Sequence, residues 1–279
     1  MDGHPTKFLR ARIRHALFTV VPDRITGGRL RARHLSQPIE LTKIAISQKG
    51  WPRAFDGLKI AHLSDFHFGH LATSDRIREA VTTANATRPD LVALTGDLVD
   101  LHANDSDLLF AELAQLHAPL GIYMVLGNHD HLHAPRQVVR AAMDSGVTVL
   151  MNATAEIVRG EERLVVGGLD WSNRIALDAA RLRDLPVAPH LLLAHNPKAF
   201  ASAIERGIPI TLSGHTHGGQ IARRTRPQHN LAFSHRFSSG LYEREGSRLI
   251  VTRGVGAWFP LRVHCPPEVV LLEVHTLAE

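Results

Sequence analysis

Five short clusters of aspartate, asparagine and histidine follow one another along the middle of the chain. They read D-F-H from Asp65, G-D-L-V-D from Gly96, G-N-H-D from Gly127, H-N-P from His195 and G-H-T-H-G-G from Gly214. Carboxylate, amide and imidazole groups are ligands for hard and borderline metal ions, and the clusters offer no sulfur. Together they provide enough ligands for two cations, provided that one carboxylate bridges both ions.

A pair of cations held in this way would favour phosphoester chemistry. Two ions about 3.5–4 Å apart bind one phosphoryl group, activate a water and stabilise the charge of an in-line displacement. Each cluster alone has an ordinary structural explanation, such as a capped turn, an Asx-turn or a surface histidine pair. The five clusters in succession, each after a predicted strand, indicate a binuclear metal site.

Apolar runs in front of the clusters predict the strands that position them. These runs lie at 58–64, 91–95, 122–126, 190–194 and 208–212. The remaining pattern predicts helices from Ser74, over 107–117 and from Pro135, and strands at 147–150, 163–167, 249–252 and 269–274. Strands that alternate with helices predict an α/β layered domain, in which ligands gather at the carboxyl ends of the strands.

Composition excludes several other classes of protein. The chain has 279 residues, of which 44% are apolar and 21% are charged, so a buried core is expected and a disordered chain is not. Cys265 is the single cysteine, which excludes an intrachain disulfide and a thiolate metal cluster. No apolar run reaches the length of about 20 residues that a bilayer-spanning helix needs.

The first fifty residues differ in charge from the rest of the chain. They carry ten Lys or Arg and three Asp or Glu, whereas the remainder is nearly neutral and predicts no nucleic-acid partner. Residues 7–21 predict a basic amphipathic helix that ends at Pro22. Its apolar face is formed by Leu9, Ile13, Ala16, Leu17 and Val20. Such a helix either lies on an anionic membrane surface, with its arginines near lipid phosphates, or packs on the body.

The succession of clusters resembles the calcineurin-like metallophosphoesterase family over residues 58–220. The closing segments V-T-R-G-V-G and P-P-E-V resemble a bacterial, often membrane-associated branch of that family. The resemblance implies an α/β fold, a four-layer α/β/β/α sandwich of two mixed β-sheets flanked by helices. It further implies a metallophosphoesterase domain at 51–279, after a basic leader and linker at 1–50.

The same resemblance assigns roles to individual residues. It implies that one metal is held by Asp65, His67 and His217, that Asp97 bridges, and that the second metal is held by Asn128, His195 and His215. It makes His129 the catalytic histidine, with Asp130 either orienting the His129 ring or capping the turn. The implied cofactors are two divalent or mixed-valence metal ions, with Mn, Fe and Zn as the candidates.

Two differences from another branch of the family restrict the expected class of substrate. Protein Ser/Thr phosphatases of this family carry an arginine where this chain has Leu101 and a glutamate where it has Asp130, so a phosphoprotein substrate is not expected. We expect hydrolysis of a phosphodiester or pyrophosphate by attack of a hydroxide held at a binuclear metal centre.

Two alternatives to a general phosphodiesterase stay open. One is a hydrolase of a nucleotide-sugar lipid precursor, of the UDP-diacylglucosamine pyrophosphate type, and the other is a non-catalytic scaffold with the same fold. The basic helix at 7–21 favours a lipid-linked substrate and an anionic membrane surface as partners. The expected location is cytoplasmic and peripheral, at the inner face of the cell membrane.

Overall fold

Two six-stranded mixed β-sheets stack face to face, and helices cover both outer faces. The computed structural model describes residues 5–224, 226–232 and 235–277, with no side chains described for 226–229. The layers follow in the order helix, sheet, sheet, helix. This confirms the four-layer α/β/β/α sandwich predicted from the sequence.

The helices and strands have the following bounds. The helices are α1 Pro5–His15, α2 Val21–Ile25, α3 Arg29–Leu35, α4 Ser74–Ala86, α5 Ser106–Leu113, α6 Pro135–Asp144, α7 Ile175–Asp184 and α8 Ala199–Glu205, with a π-helical turn at Ala16–Val20. The strands are β1 Glu40–Gln48, β2 Leu58–Leu63, β3 Leu91–Leu94, β4 Ile122–Met124, β5 Thr148–Val149, β6 Ala153–Arg159, β7 Glu162–Leu169, β8 Leu191–Ala194, β9 Ile210–Ser213, β10 Ala222–Arg223, β11 Arg226–Asn230, β12 Gly240–Arg244, β13 Ser247–Val251 and β14 Glu268–Thr276.

Parallel strands form the centre of each sheet. The first sheet has the order β1-β14-β2-β3-β4-β5, in which β2 to β5 are parallel and β14 runs antiparallel to β2. The second has the order β12-β13-β9-β8-β7-β6, with parallel strands from β13 to β7. The carboxyl ends of β2, β3 and β4 therefore lie at one edge, where polar side chains that follow them can meet.

Apolar side chains fill the space between the layers. Strand β2 shows the division, since Ile60 packs between the two sheets while its neighbour Ala61 packs under the helices of the first sheet. Ile77 of α4 and Phe110 of α5 cover that outer face. Phe200 of α8 belongs to a third apolar cluster, on the outer face of the second sheet. Burial of this apolar area holds the strand ends in fixed positions.

Strand β1 lies before the predicted start of the domain. The sequence analysis placed the leader and linker at 1–50, but Glu40–Gln48 pairs in parallel with β14 along its whole length. Only Ile46 and Gln48 of β1 are buried, because this strand forms the edge of its sheet. An edge strand with mixed polar residues lacks the continuous apolar run of a central parallel strand, so its sequence gives a weak signal. The sheet thus begins at Glu40.

The N-terminal helices do not end at Pro22 as the sequence predicted. A π-helical turn at Ala16–Val20 follows α1, and Pro22 then stands in the first turn of α2. A first-turn proline loses no helical hydrogen bond, because the N–H at that position has no partner within the helix. The chain therefore continues as helix past Pro22 and turns at Gly27 and Gly28.

Helix α1 packs on the body of the protein through a narrow face of small side chains. Ala11 of α1 is buried there, and so is Thr19 of the following π-helical turn, whose hydroxyl donates a hydrogen bond to the carbonyl of Trp258 at 2.9 Å. The apolar row on the other side points away from the body, since Leu9, Ile13 and Leu17 are 56%, 52% and 57% exposed. No helix in the described part of the chain is both long and apolar enough to cross a bilayer.

Arg76 of α4 connects the end of α3 to the rest of the protein through hydrogen bonds. Its buried guanidinium donates hydrogen bonds to the carbonyls of His34, Leu35 and Gln37 at 2.7–3.0 Å. Without that group, these carbonyls would lose their charged donor in a water-poor environment. The contact thus fixes the position of the N-terminal helices relative to the first sheet.

Replacing Arg76 by methionine should loosen residues 29–39 and lower the free energy of unfolding by about 1–3 kcal/mol. The matched control is Arg78→Met on the same helix, where the exposed arginine pairs with Asp75 and Glu112, so the expected change is much smaller than that of Arg76→Met. Urea unfolding and amide hydrogen exchange measure both effects. Equal stability and equal exchange at 29–39 in the two variants would contradict this role for Arg76.

Candidate metal centre

The predicted ligands stand on tight backbone turns directly after the strands. Asp65, His67, Asp97, His215 and His217 all have left-handed backbones, with φ between 46° and 74°. Residues other than glycine adopt this conformation rarely, although Asp and His do so more readily than most. Five such residues in one place indicate that the surrounding structure imposes a local strain, a feature that is common at functional sites.

A first group of ligand atoms is formed by Asp65, His67 and His217. The Nε2 atoms of His67 and His217 are 3.0 Å apart, and His217 Nε2 lies 3.3 Å from Asp65 Oδ1. All three side chains are buried, and their ligand atoms lie within 4.8 Å of one another. Nitrogen lone pairs that face each other and a carboxylate in this way fit a shared cation.

A second group is formed by Asp97, His195 and His215, and it lies next to the first. Asp97 Oδ2 is 3.2 Å from His195 Nε2 and 3.5 Å from His67 Nε2, so its carboxylate contacts both groups. The ligand atoms of Asp97, His195 and His215 also lie within 4.8 Å of one another. The carboxylate of Asp97 thus has the position that a bridging ligand requires.

A buried polar atom without a partner tests whether these residues fit metal ions. Asn128 Oδ1 is buried and forms no hydrogen bond with any residue that the structure describes. Buried polar atoms normally have a hydrogen-bond partner, so this oxygen calls for a ligand. The oxygen and nitrogen donors suit Mn, Fe or Zn. The residues present therefore fit the metal ions that the sequence implies.

Two glycines keep the carboxylates in place by leaving room for them. A Cβ on Gly127 would collide with the carboxylate of Asp97, and a Cβ on Gly214 would collide with the Asp65 carboxylate and the Ser64 hydroxyl. Each glycine directly precedes a predicted ligand, Asn128 or His215. The absence of a side chain thus lets the ends of β4 and β9 approach the ends of β3 and β2.

Charge interactions keep the central carboxylate ionised. Burial alone would raise the pKa of Asp97, but His195 and His129 outweigh it and hold that pKa well below its usual range. Burial lowers the pKa of His195, yet the nearby Asp97 and Asp65 carboxylates raise it to about 9. Burial and neighbouring cationic groups lower the pKa values of His215 and His217 well below the usual value. Neutral imidazoles of this kind are the form that binds metal.

His129 lies at the wall of the site, with hydrogen bonds at both ring nitrogens. Its Nδ1 is 2.6 Å from the carbonyl of Asp100 and 3.3 Å from the Asp100 carboxylate, while Arg14 Nη2 is 3.3 Å from Nε2. The backbone N–H of His129 donates to Asp97 Oδ1 at 2.7 Å. Burial lowers the pKa of His129, but the Asp97 and Asp100 carboxylates raise it to about 9.

Asp130 supports the turn rather than the His129 ring. Its carboxylate accepts hydrogen bonds from the backbone N–H groups of Gly127, Leu98 and Val99 at 2.8–3.2 Å. Of the two sequence interpretations, this geometry fits the turn-capping one. The ring of His129 contacts the carboxylate of Asp100 instead.

The sequence analysis did not assign three residues that contact the centre. Asp100 lies between His129, His67 and His15, Arg14 reaches His129 from α1, and the buried Arg262 lies 3.4 Å from His217 Nδ1. Asp100 is the last residue of the G-D-L-V-D cluster, so its place in that cluster could have predicted that it lies at the site. Arg14 and Arg262 have no such signal, because each comes from a distant segment outside the clusters.

A cavity of about 640 Å³ opens at this centre. Asn128, His129 and His215 form its inner end, Trp171 lies beside them, and Lys7 and Arg10 of α1 form part of the outer wall. The Trp171 ring centroid is 4.9 Å from that of His215. Two of the predicted ligands, Asn128 and His215, thus face a space large enough for a small organic phosphate.

Comparison with known proteins agrees with this arrangement. The sequence profile of calcineurin-like phosphoesterases matches residues 58–219, the segment that carries all five clusters. The chain belongs to the calcineurin-like phosphoesterase family. Membership supports a hydrolase of phosphoesters that binds divalent metal ions, and it leaves the substrate open.

Similar phosphoesterases are found in bacteria and in a vertebrate. Metallophosphoesterase YkuE of Bacillus subtilis is 30% identical over 88% of this chain and 89% of its own length. Phosphodiesterase YaeI of Escherichia coli is 30% identical over 77% of this chain and 82% of its own length. A dimetal phosphatase from Danio rerio aligns with a TM-score of 0.42 and 14% identity, over 72% of this chain and 88% of that one.

Replacing Asp97 by asparagine should disrupt metal binding without changing the size of the side chain. We expect the metal bound per chain to fall by about half or more, and kcat/KM for a phosphoester to fall by more than about 100-fold, because even the outer partners of metal ligands contribute that much. Elemental analysis of the purified protein measures the metal. The control is Asp178→Asn, a buried carboxylate of α7 outside the two ligand groups. Full metal content in the Asp97 variant would contradict the bridging position.

Proposed function

We propose that this protein is a metal-dependent phosphodiesterase with a binuclear centre at Asp97. The observation that carries the proposal is the contact of one buried carboxylate with two groups of ligands. When bound, two divalent ions supply positive charge for the phosphoryl oxygens and lower the pKa of a water. Asp65, His67 and His217 would hold one ion, Asn128, His195 and His215 would hold the other, and Asp97 would bridge them.

His129 assists the departure of the leaving group. The Arg14 guanidinium can only donate, so its contact with Nε2 requires that nitrogen to be unprotonated. When Arg14 binds the substrate phosphate instead, the imidazolium form of His129 donates from Nε2 towards the leaving oxygen, and the Asp100 carboxylate 3.3 Å from Nδ1 stabilises the charge. Asp130 is a positioning residue, because its carboxylate binds the N–H groups of the turn that carries His129. Trp171 and the cavity wall hold the organic part of the substrate and exclude water from one side.

A diester is favoured over a phosphoprotein or a simple monoester. A similar protein from Escherichia coli is named a phosphodiesterase. Leu101 stands where protein phosphatases of this family carry an arginine, which argues against a phosphoprotein substrate. The complete set of ligand types argues against a non-catalytic scaffold, which has no need to keep a buried and unpaired ligand atom such as Asn128 Oδ1.

The exposed apolar row of α1 favours activity at a membrane surface. Leu9, Ile13 and Leu17 continue into Phe18, Val21 and Ile25, and all six are exposed. Arg24, Arg29 and Arg33 are exposed on the following helices. An apolar row flanked by arginines binds the interface of an anionic bilayer. Peripheral binding at the inner face of the cell membrane, with a lipid-linked phosphoester as substrate, is therefore part of the proposal.

Hydrolysis of bis-p-nitrophenyl phosphate tests the reaction class. Metal-stripped protein supplied with Mn, Zn or Fe should cleave this diester with a higher kcat/KM than p-nitrophenyl phosphate. Asn128→Ala should remove the activity, because it removes a ligand while leaving the fold of the strands unchanged. Absence of metal-dependent cleavage in protein that binds two ions, or a preference for the monoester, would contradict the assignment.

Replacing the apolar row by polar side chains tests whether the protein binds a membrane surface. The triple variant Leu9→Gln, Ile13→Gln, Leu17→Gln should bind vesicles of phosphatidylglycerol and phosphatidylcholine at least about tenfold more weakly. It lacks the three exposed apolar side chains that would insert into the bilayer interface. Hydrolysis of bis-p-nitrophenyl phosphate should be unchanged. A matched control replaces Leu108 and Met143, exposed on α5 and α6, by glutamine. Equal vesicle binding by the triple variant and this control would remove the membrane surface from the proposal.

A further inference from the structure

Helix α1 packs with its charged side towards the active site and its apolar side towards solvent. Lys7, Arg10 and Arg14 line the cavity, while Leu9, Ile13 and Leu17 are exposed. A surface helix normally turns its apolar stripe towards the core, so this orientation is the reverse of the usual one. A row of three cations along the cavity wall attracts anionic groups into the space in front of it.

The row of cations begins at the catalytic histidine and extends outwards. Arg14 Nη2 lies 3.3 Å from His129 Nε2, and the Arg14 guanidinium also lies over the ring of Trp258. Arg10 is four residues from Arg14 along α1 and Lys7 three residues further, which corresponds to a helix rise of about 6 Å and then about 4.5 Å. The positive charge therefore continues past the position of the phosphate that is hydrolysed.

Neighbouring carboxylates do not neutralise this row. Asp170 is the acidic residue among those that line the cavity, and it is already bonded to His131 Nε2 at 2.7 Å. Arg174, from the second sheet's side of the cavity, adds another cation. The side chains of Lys7, Arg10 and Arg174 form no hydrogen bond or ion pair with any residue that the structure describes. These three cations are available for a ligand.

We propose that Arg14, Arg10, Lys7 and Arg174 form a second anion-binding subsite, which selects substrates with another phosphate next to the one hydrolysed. The substrate class is a pyrophosphate diester, in which the second phosphate would lie against Arg10. Guanidinium groups bind phosphate oxygens through paired, charge-assisted hydrogen bonds, which suits them to this task. The inference rests on the proposed function, because it names the substrate class of the same site.

Calorimetry without metal tests the subsite apart from catalysis. Metal-stripped full-length protein is titrated with inorganic pyrophosphate and with inorganic phosphate. We expect pyrophosphate to bind more tightly than phosphate, and Arg10→Gln to weaken pyrophosphate binding about tenfold, the effect of losing a charge-assisted contact. The matched control is Arg12→Gln, on the same helix but outside the cavity lining, and it should change the affinity less than twofold. Equal affinities of the two variants, or no binding by the wild type, would overturn the subsite.

Competition during turnover provides the second readout. UDP-glucose should inhibit metal-dependent hydrolysis of bis-p-nitrophenyl phosphate, with an inhibition constant about tenfold higher in Arg10→Gln and unchanged in Arg12→Gln. The KM for bis-p-nitrophenyl phosphate, which has no second phosphate, should change less than twofold in the control Arg12→Gln. An unchanged inhibition constant in Arg10→Gln would overturn the subsite. If the proposed function itself were wrong, neither the wild type nor either variant would hydrolyse any diester. The calorimetry would then still show whether the subsite binds pyrophosphate.

Discussion

The buried carboxylate of Asp97 is the group on which the rest of the site depends. It contacts His195 and His67 and accepts a hydrogen bond from the backbone of His129, so three separate strand ends converge on one side chain. Removing a carboxylate from water is costly unless partners compensate for the lost hydration. The imidazoles and the backbone N–H supply part of that compensation, and divalent cations would supply the remainder. The fold therefore holds these partners at contact distance from Asp97.

Packing of the apolar layers stabilises the strained backbone at the predicted ligands. Left-handed backbones at Asp65, Asp97 and His215 are unfavourable locally, and the apolar layers on both sides of each sheet hold them in place. Gly127 and Gly214 let the strand ends approach each other, because a side chain at either position would displace a carboxylate. The buried Asn128 Oδ1 has no hydrogen-bond partner in the part of the chain that the structure describes, which costs stability unless a cation binds there.

The central strands and the clusters could be predicted from the sequence, because a buried parallel strand is a continuous apolar run that ends abruptly in polar residues. Strand β1 could not, since an edge strand with only two buried residues lacks that pattern. Amphipathicity predicted a helix near residues 7–21 but not which side packs on the body. Small side chains such as Ala11 form that contact, and hydropathy says little about them. Arg262 reaches His217 from 45 residues away, a proximity that no local pattern encodes.

The central claim is that one carboxylate joins two metal ions, and electron paramagnetic resonance of the manganese-loaded protein tests it most directly. Two Mn²⁺ ions that share the Asp97 carboxylate should give the broad, temperature-dependent spectrum of an exchange-coupled pair when two ions are bound per chain. Loading with one ion per chain should give a simpler spectrum. A fully loaded protein that shows only the six-line signal of isolated Mn²⁺ would contradict a bridging Asp97.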